Sequence, residues 1–166
     1  EIAQQIRRHV FGTTEPLRNF DMTISYHDWI RIPPPAAGDP LFAQLDHHQA
    51  GPSLFGAINV YLIVLTAHPF SDGNGRTSRL FFNMLLSQAG AAGHYIPITE
   101  LTRATRGLYE EYIGQASQHG DFRQLMWLLL SLLESYAMFL IELGNQPMSE
   151  HDLDRVARLA REARAG

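Results

Sequence analysis

His68-Pro69-Phe70-Ser71-Asp72-Gly73-Asn74-Gly75-Arg76-Thr77-Ser78-Arg79 is the polar stretch on which the reading of this chain turns. An apolar segment, Ser53 to Ala67, leads into it, and a second, Leu80 to Leu86, leaves it. Both have helical length and composition, which predicts a tight loop between two buried helices. Gly73, Asn74 and Gly75 reach backbone angles closed to most residues, so their N–H groups can turn toward one point. The following helix is expected to begin at about Arg76, adding its unpaired N–H groups and the positive end of its dipole. Arg76 and Arg79 are three apart and share a helix face, which sets two guanidinium forks beside that nest. Such a pocket suits a polyphosphate. Asp72 offers a hard oxygen ligand for a Mg²⁺ shared with phosphate oxygens. His68 is the group here that can take a proton near neutral pH. At the end of its helix it is expected to meet a field that stabilises imidazolium. Phe70 is the apolar anchor that pins the loop to the core.

These residues resemble the Fic signature, His-x-Phe-x-Asp/Glu-Gly-Asn-Gly-Arg-x-x-Arg, at every defined position. The resemblance implies a mainly α fold, a helical bundle with a small β-hairpin flap over the active-site loop. It also implies an enzyme that moves AMP from ATP to a Ser, Thr or Tyr hydroxyl of a target protein, with loss of pyrophosphate. His68 would then deprotonate the hydroxyl, and Asp72 would hold Mg²⁺ across the α- and β-phosphates. Gly73, Asn74 and Gly75 would receive phosphate oxygens on their N–H groups, Arg76 would grip the β-phosphate and Arg79 the γ. A relative that phosphorylates its target carries lysine where this chain has Gly75, so glycine favours AMP transfer. Transfer of UMP, phosphocholine or phosphate stays open as an alternative, as does a silent partner-binding module, because no determinant of the base stands out.

Composition sets limits around that reading. The chain has 166 residues, enough for one domain with a proper core, and 45% apolar against 18% charged residues, as in a globular protein. A formal charge of −4 argues against a general nucleic-acid binder. Cysteine is absent, which removes thiol nucleophiles, disulfides and thiolate zinc sites. Lysine is absent too, and all 13 basic residues are arginine. A P-loop and a kinase strand both require a lysine, so neither can be built here. No signal peptide is evident. The apolar run Leu125–Leu133 stops at Glu134, short of a bilayer span, and predicts a core helix. A cytoplasmic bacterial enzyme and an effector delivered to a host cytosol would both look like this.

Along the chain, Glu1–Val10 reads as the tail of a helix whose start is missing, as in a fragment of a longer protein. Met22-Thr23-Ile24-Ser25 and Trp29-Ile30-Arg31-Ile32 read as two strands of a hairpin, closed by Pro33-Pro34-Pro35. By the resemblance this flap pairs with an extended stretch of the target protein by strand addition. Its docking residues would be Thr23, Ile24, Ser25, Ile30, Arg31 and Ile32. A helix is expected over 39–49, with Asp39 as N-cap and Phe42, Leu45 and His48 inward. His47-His48 does not make a metal site, since neighbours on a helix point about 100° apart. Ser53 caps a central buried helix, and Leu80, Phe81, Met84 and Leu85 face the core in the next, which Gly90 closes. One helix is expected from Thr99 to about Gln118, with Leu101, Leu108, Tyr109, Tyr112 and Ile113 inward. Another runs from Asp121 to Gly144. Ser149 caps a last amphipathic helix to about Ala163, with Leu153, Val156 and Leu159 inward and Arg155, Arg158, Arg161 and Arg164 outward. The division expected is a Fic domain over 1–146 and a C-terminal helix over 147–166.

Many Fic proteins hold themselves off with a helix bearing Ser/Thr-x-x-x-Glu-Gly/Asn. No glutamate here has Ser or Thr four residues before it. The chain is therefore expected to rely on a separate inhibitor protein or on a missing inhibitory helix.

Overall fold

In a computed structural model of the chain, the described residues are 17–25, 29–35, 53–90, 95–144 and 148–162. They form two short strands, β1 (Met22–Ser25) and β2 (Trp29–Ile32), paired as a hairpin. Six helices follow among the described residues: α1 (Leu54–Ala67), α2 (Asn74–Gln88), α3 (Ile98–Arg103), α4 (Leu108–His119), α5 (Arg123–Leu143) and α6 (Glu150–Glu162). The fold is mainly α with one small hairpin, as expected. Two compact units contain these elements, one within residues 1–24 and 31–96, the other within 25–30 and 97–166. The helices expected over 1–10 and 39–49, with His47 and His48, lie outside the described residues.

In the first unit α1 starts where expected. The Ser53 hydroxyl accepts the Gly56 N–H at 3.0 Å, satisfying one of the orphan donors of the first turn. Apolar residues occur on all sides of α1, so it is buried nearly all round from Gly56 to Val64, and only its first turn exposes Leu54 and Phe55. Its main partner is α2, where the Tyr61 and Phe82 rings meet tilted, with centroids 5.8 Å apart. The inward face of α2 is Phe81, Phe82, Leu85 and Leu86, all at most 5% exposed. Leu80 is turned outward and Met84 is half-buried, which corrects the expected stripe. Residues 80–86 are apolar everywhere but Asn83, so spacing alone could not choose the face. Packing against α1 chooses it. Full burial of each such side chain stabilises by about 1.5–3 kcal/mol, so the α1–α2 seam is the firm base under the loop that joins them. Asn83 instead fastens the next segment: its Oδ1 accepts the Ile96 N–H at 2.7 Å and its Nδ2 donates to the Ile96 carbonyl at 3.2 Å. Gly90, at φ 105°, lies just past the end of α2 as expected.

The second unit departs from the expected number of helices at one place. The single helix expected from Thr99 is two helices, α3 and α4, separated at Arg106 and Gly107. These residues are consecutively left-handed, at φ 56° and 93°, and no α-helix continues through that backbone. Thr105 reinforces the break, because its Oγ1 accepts the Tyr109 N–H at 3.1 Å and so serves the new N-terminus. Leu101, Tyr109, Tyr112 and Ile113 are buried as expected, whereas Leu108 is half-buried at the start of α4.

Helix α5 begins two residues after Asp121, whose carboxylate accepts the Arg123 N–H at 3.1 Å. It is 21 residues long, close to the expected span from Asp121 to Gly144, and by length and composition it is apolar enough to cross a membrane, which corrects the expectation that the run ending at Glu134 falls short. One face, including Leu125, Leu128, Leu129, Leu132 and Phe139, is buried, and α5 packs on α4 and α6. Ser149 caps α6 as expected, with Asp152 answering it in a reciprocal capping box: Ser149 Oγ accepts the Asp152 N–H, and Asp152 Oδ2 accepts the Ser149 N–H. Val156, Ala157 and Ala160 form its buried face, while Leu159 is 40% exposed, another correction. The small alanines let α6 lie close on α3 and α5, so it is part of this unit's core.

Candidate active site

The loop from His68 to Gly73 leaves the C-terminus of α1 and enters the N-terminus of α2 within the first unit. His68 is the C-cap of α1 at φ 45°, ψ 55°. A left-handed conformation at a β-carbon-bearing residue is strained, and such outliers gather at functional sites. Its Nδ1 lies 2.7 Å from the Leu65 carbonyl oxygen. That oxygen can only accept, so Nδ1 carries the proton and Nε2 carries the lone pair. The half-buried imidazole is displaced below its ordinary pKa, first by burial and further by the Arg18 charge, with the bond to Leu65 opposing. This reverses the expectation that the helix end stabilises imidazolium. Arg18 donates to the Ala67 and His68 carbonyls and so neutralises the negative helix end that would have done so.

Phe70 is fully buried, as the anchor reading required. Asn74 holds it there from both sides. Its Oδ1 accepts the Phe70 N–H at 2.9 Å and its Nδ2 donates to the Phe70 carbonyl at 2.8 Å, with Asn74 itself only 2% exposed. The sequence reading gave Asn74 a backbone role only. Its amide is the one side chain of the loop with a donor and an acceptor on adjacent atoms, and that is the signal that could have revealed the clamp.

Helix α2 begins at Asn74, two residues earlier than expected, because Gly73 takes the left-handed N-cap conformation at φ 77°. The N-cap of α2 supplies no side-chain hydrogen bond to its first turn, where backbone N–H groups have no carbonyl one turn earlier to meet. The Gly73 N–H is already engaged by Asp72 Oδ1 at 2.5 Å, so it is not free for a phosphate in this state. The other carboxylate oxygen of Asp72 accepts from Arg76 at 3.2 Å, an exposed i,i+4 pair. Gly75 is helical, and a Cβ there would lie 3.1 Å from Nη1 of Arg79, a tight contact that the guanidinium would have to yield to by a few tenths of an ångström. The Arg79 guanidinium therefore lies along the glycine, beside the helix N-terminus, and forms no ion pair among the described residues.

The hairpin residues divide. Thr23 is exposed and Ile24 half-buried, and Arg31 is exposed and paired with Asp21. Ile32 is 8% exposed and turned inward, so its side chain is not part of a docking surface, and Nη1 of Arg18 takes its carbonyl. The side chains of Ser25 and Ile30 lie outside the described residues.

The arginine that the sequence reading passed over is Arg18. It is 3% exposed, and its guanidinium donates to the carbonyls of His68 at 3.0 Å, Ile32 at 3.1 Å, Pro33 at 2.8 Å and Ala67 at 3.4 Å, and to that of Phe20. Its own N–H donates to the Pro69 carbonyl at 2.8 Å. Nothing in a lone Leu17-Arg18-Asn19 signals this, since every partner is a backbone carbonyl.

Comparison with known proteins agrees with the loop. A family profile described as Fic/DOC matches residues 3–86. Over 133 residues the chain is 35% identical to the protein adenylyltransferase Fic of Nematostella vectensis, covering 72% of this chain and 28% of that protein. It is 33% identical over 129 residues to the same-named protein of Aedes aegypti, covering 72% and 24%. The Culex quinquefasciatus counterpart is 43% identical over 72 residues, 43% of this chain and 13% of that one. The chain thus spans about a quarter of the length of the first two relatives. No solved structure matches. The signature loop lies wholly inside the matched segment, and with half of the chain covered by the profile, this protein is a member of the Fic/DOC family.

Proposed function

We propose that this chain transfers AMP from ATP to a hydroxyl of a target protein, with His68 as general base. One observation carries the proposal: the Nδ1–Leu65 hydrogen bond fixes the tautomer, leaving the Nε2 lone pair on an imidazole that burial keeps neutral at pH 7. The names of the relatives, protein adenylyltransferase Fic, support the same reaction. Nε2 takes the hydroxyl proton as the oxygen attacks the α-phosphorus in line. The bond from the α-phosphorus to the bridging oxygen breaks, and pyrophosphate departs with both electrons. The first-turn N–H groups of α2 face the phosphate oxygens and are fixed before the step, so no reorganisation accompanies the growing charge. Arg79, held along Gly75, takes the outer phosphate, and Arg76 the middle one.

Magnesium arrives with ATP as part of the substrate, supplying positive charge at the phosphates. Among the described residues no cluster of three or more His, Asp or Glu could hold a metal alone. A single carboxylate beside a phosphate site suits an ion that shares its other positions with substrate and water. Asp72 fits that role, because its exposed pair with Arg76 is worth only about 0–1 kcal/mol and is easily exchanged. Gly75 supports AMP transfer over phosphate transfer, since the relative that phosphorylates its target carries lysine at this position. Thr23, Ile24 and Arg31 of the hairpin remain the proposed contacts for an extended stretch of the target.

The test is mass spectrometry of cell lysate incubated with the chain and Mg·ATP. Added AMP on Ser, Thr or Tyr side chains supports the reading. Unmodified protein, with modification appearing only when UTP or CDP-choline is the donor, overturns it in favour of a related transfer.

A further inference from the structure

Arg18 is a buried cation without an ion pair among the described residues, a costly arrangement unless every N–H is used. Its donors all meet carbonyls, and those carbonyls come from two places. Phe20, Ile32 and Pro33 flank the hairpin, while Ala67 and His68 end α1. A planar guanidinium fixes the angles between its acceptors as no flexible group can. The His68 carbonyl it holds belongs to the residue whose left-handed backbone aims the imidazole.

We infer that Arg18 is the positioning residue of this site, fixing the His68 backbone and the exit of the hairpin to one another so that base and target strand keep a set offset. The inference rests on the proposed reaction for its kinetic consequence, but its structural half stands apart from it. Held by Arg18, His68 keeps the geometry in which Nδ1 reaches Leu65. Without it the left-handed C-cap relaxes, the Nδ1 bond is lost, and both tautomers appear. Arg18 touches no residue of the phosphate nest, so ATP binding is untouched by the same change.

The experiment uses the full chain with Arg18→Lys and Arg18→Met. Nitrogen-15 NMR of the histidine rings reads the His68 tautomer with no reference to activity, and calorimetry with Mg·ATP reads binding. Wild type should show the Nδ1–H form alone. Both variants should show mixed tautomers, Kd for ATP within about threefold of wild type, and kcat lowered on the order of 10²-fold, the cost of misplacing a reacting group by about 1 Å. Lysine keeps the charge but not the fork, so full rescue by Arg18→Lys would overturn the inference by showing that charge alone matters. A wild-type tautomer in both variants would overturn it as well. Should Arg18→Met not fold, the wild-type spectrum and Arg18→Lys still decide. Absence of AMP transfer in wild type would refute the reaction, while the NMR result would continue to judge Arg18.

Discussion

Replacing Asn74 gives the sharpest perturbation of the loop without touching a group that contacts substrate through its side chain. Asn74→Ala deletes two buried hydrogen bonds to Phe70, of 2.9 and 2.8 Å. Losing a buried partner costs about 1–3 kcal/mol for each group, so the pair predicts a loss of about 2–6 kcal/mol. For a chain of this length 1 kcal/mol corresponds to about 2–4 °C, which places the fall in Tm at about 4–24 °C. Asn74→Asp separates the two bonds. It keeps the acceptor for the Phe70 N–H but turns a carboxylate oxygen toward the Phe70 carbonyl, where the amide had donated. That repulsion is offset in part by the favourable placement of a negative charge at a helix N-terminus, worth about 0.3–1 kcal/mol. Asn74→Asp should therefore match or exceed the alanine loss at pH 7 and recover at acid pH, where a protonated carboxyl donates again. Thermal unfolding followed by circular dichroism at pH 7 and pH 4.5, each against wild type at the same pH, reads both effects. If both variants melt within 1 °C of wild type, the clamp is not what holds Phe70 and the loop.

Three further outcomes follow from the same geometry. His68 is displaced below its ordinary pKa by burial and Arg18, so the neutral base persists to lower pH than in a free imidazole. The pH profile of kcat/KM should have its acid limb below about 6.5, and a limb above 7 would contradict the assignment. The stability side has a definite sign: the unfolded state binds this proton first, so His68 contributes stability above its unfolded pKa that is lost as pH falls through the lower folded value. Urea unfolding of wild type and His68→Gln between pH 7.5 and 5 should show a smaller loss in the variant. Gly75→Ala brings a Cβ to 3.1 Å from Nη1 of Arg79 and should raise KM for ATP several-fold with little change in kcat; an unchanged KM would separate Arg79 from the phosphates.

How much of this was legible from sequence differs by residue, for physical reasons. The strand limits of the hairpin and the Ser53 and Ser149 caps were readable because local chemistry determines them. Phe70 was readable as an anchor because a lone large apolar residue in a polar loop has few other uses. The inward face of α2 was not, since a nearly continuous apolar run leaves the choice to tertiary packing. The break at Arg106-Gly107 was missed because glycine inside a helical pattern is tolerated often enough that it does not mark an end. Arg18 was out of reach altogether: a residue that serves only backbone carbonyls leaves no spacing or partner type in the sequence. The reversal at His68 comes first from burial of the imidazole, which only tertiary packing sets, and then from the Arg18 cation at the helix end.

The most direct measurement is the fate of label from two forms of ATP, one marked at the α-phosphorus and one at the γ, incubated with target-containing lysate and either the wild-type chain or His68→Ala. Label should reach protein from the α position only, and should fall on the order of 10²–10⁴-fold in the variant while ATP binding is retained. Label arriving from the γ position, or undiminished in His68→Ala, would contradict the account.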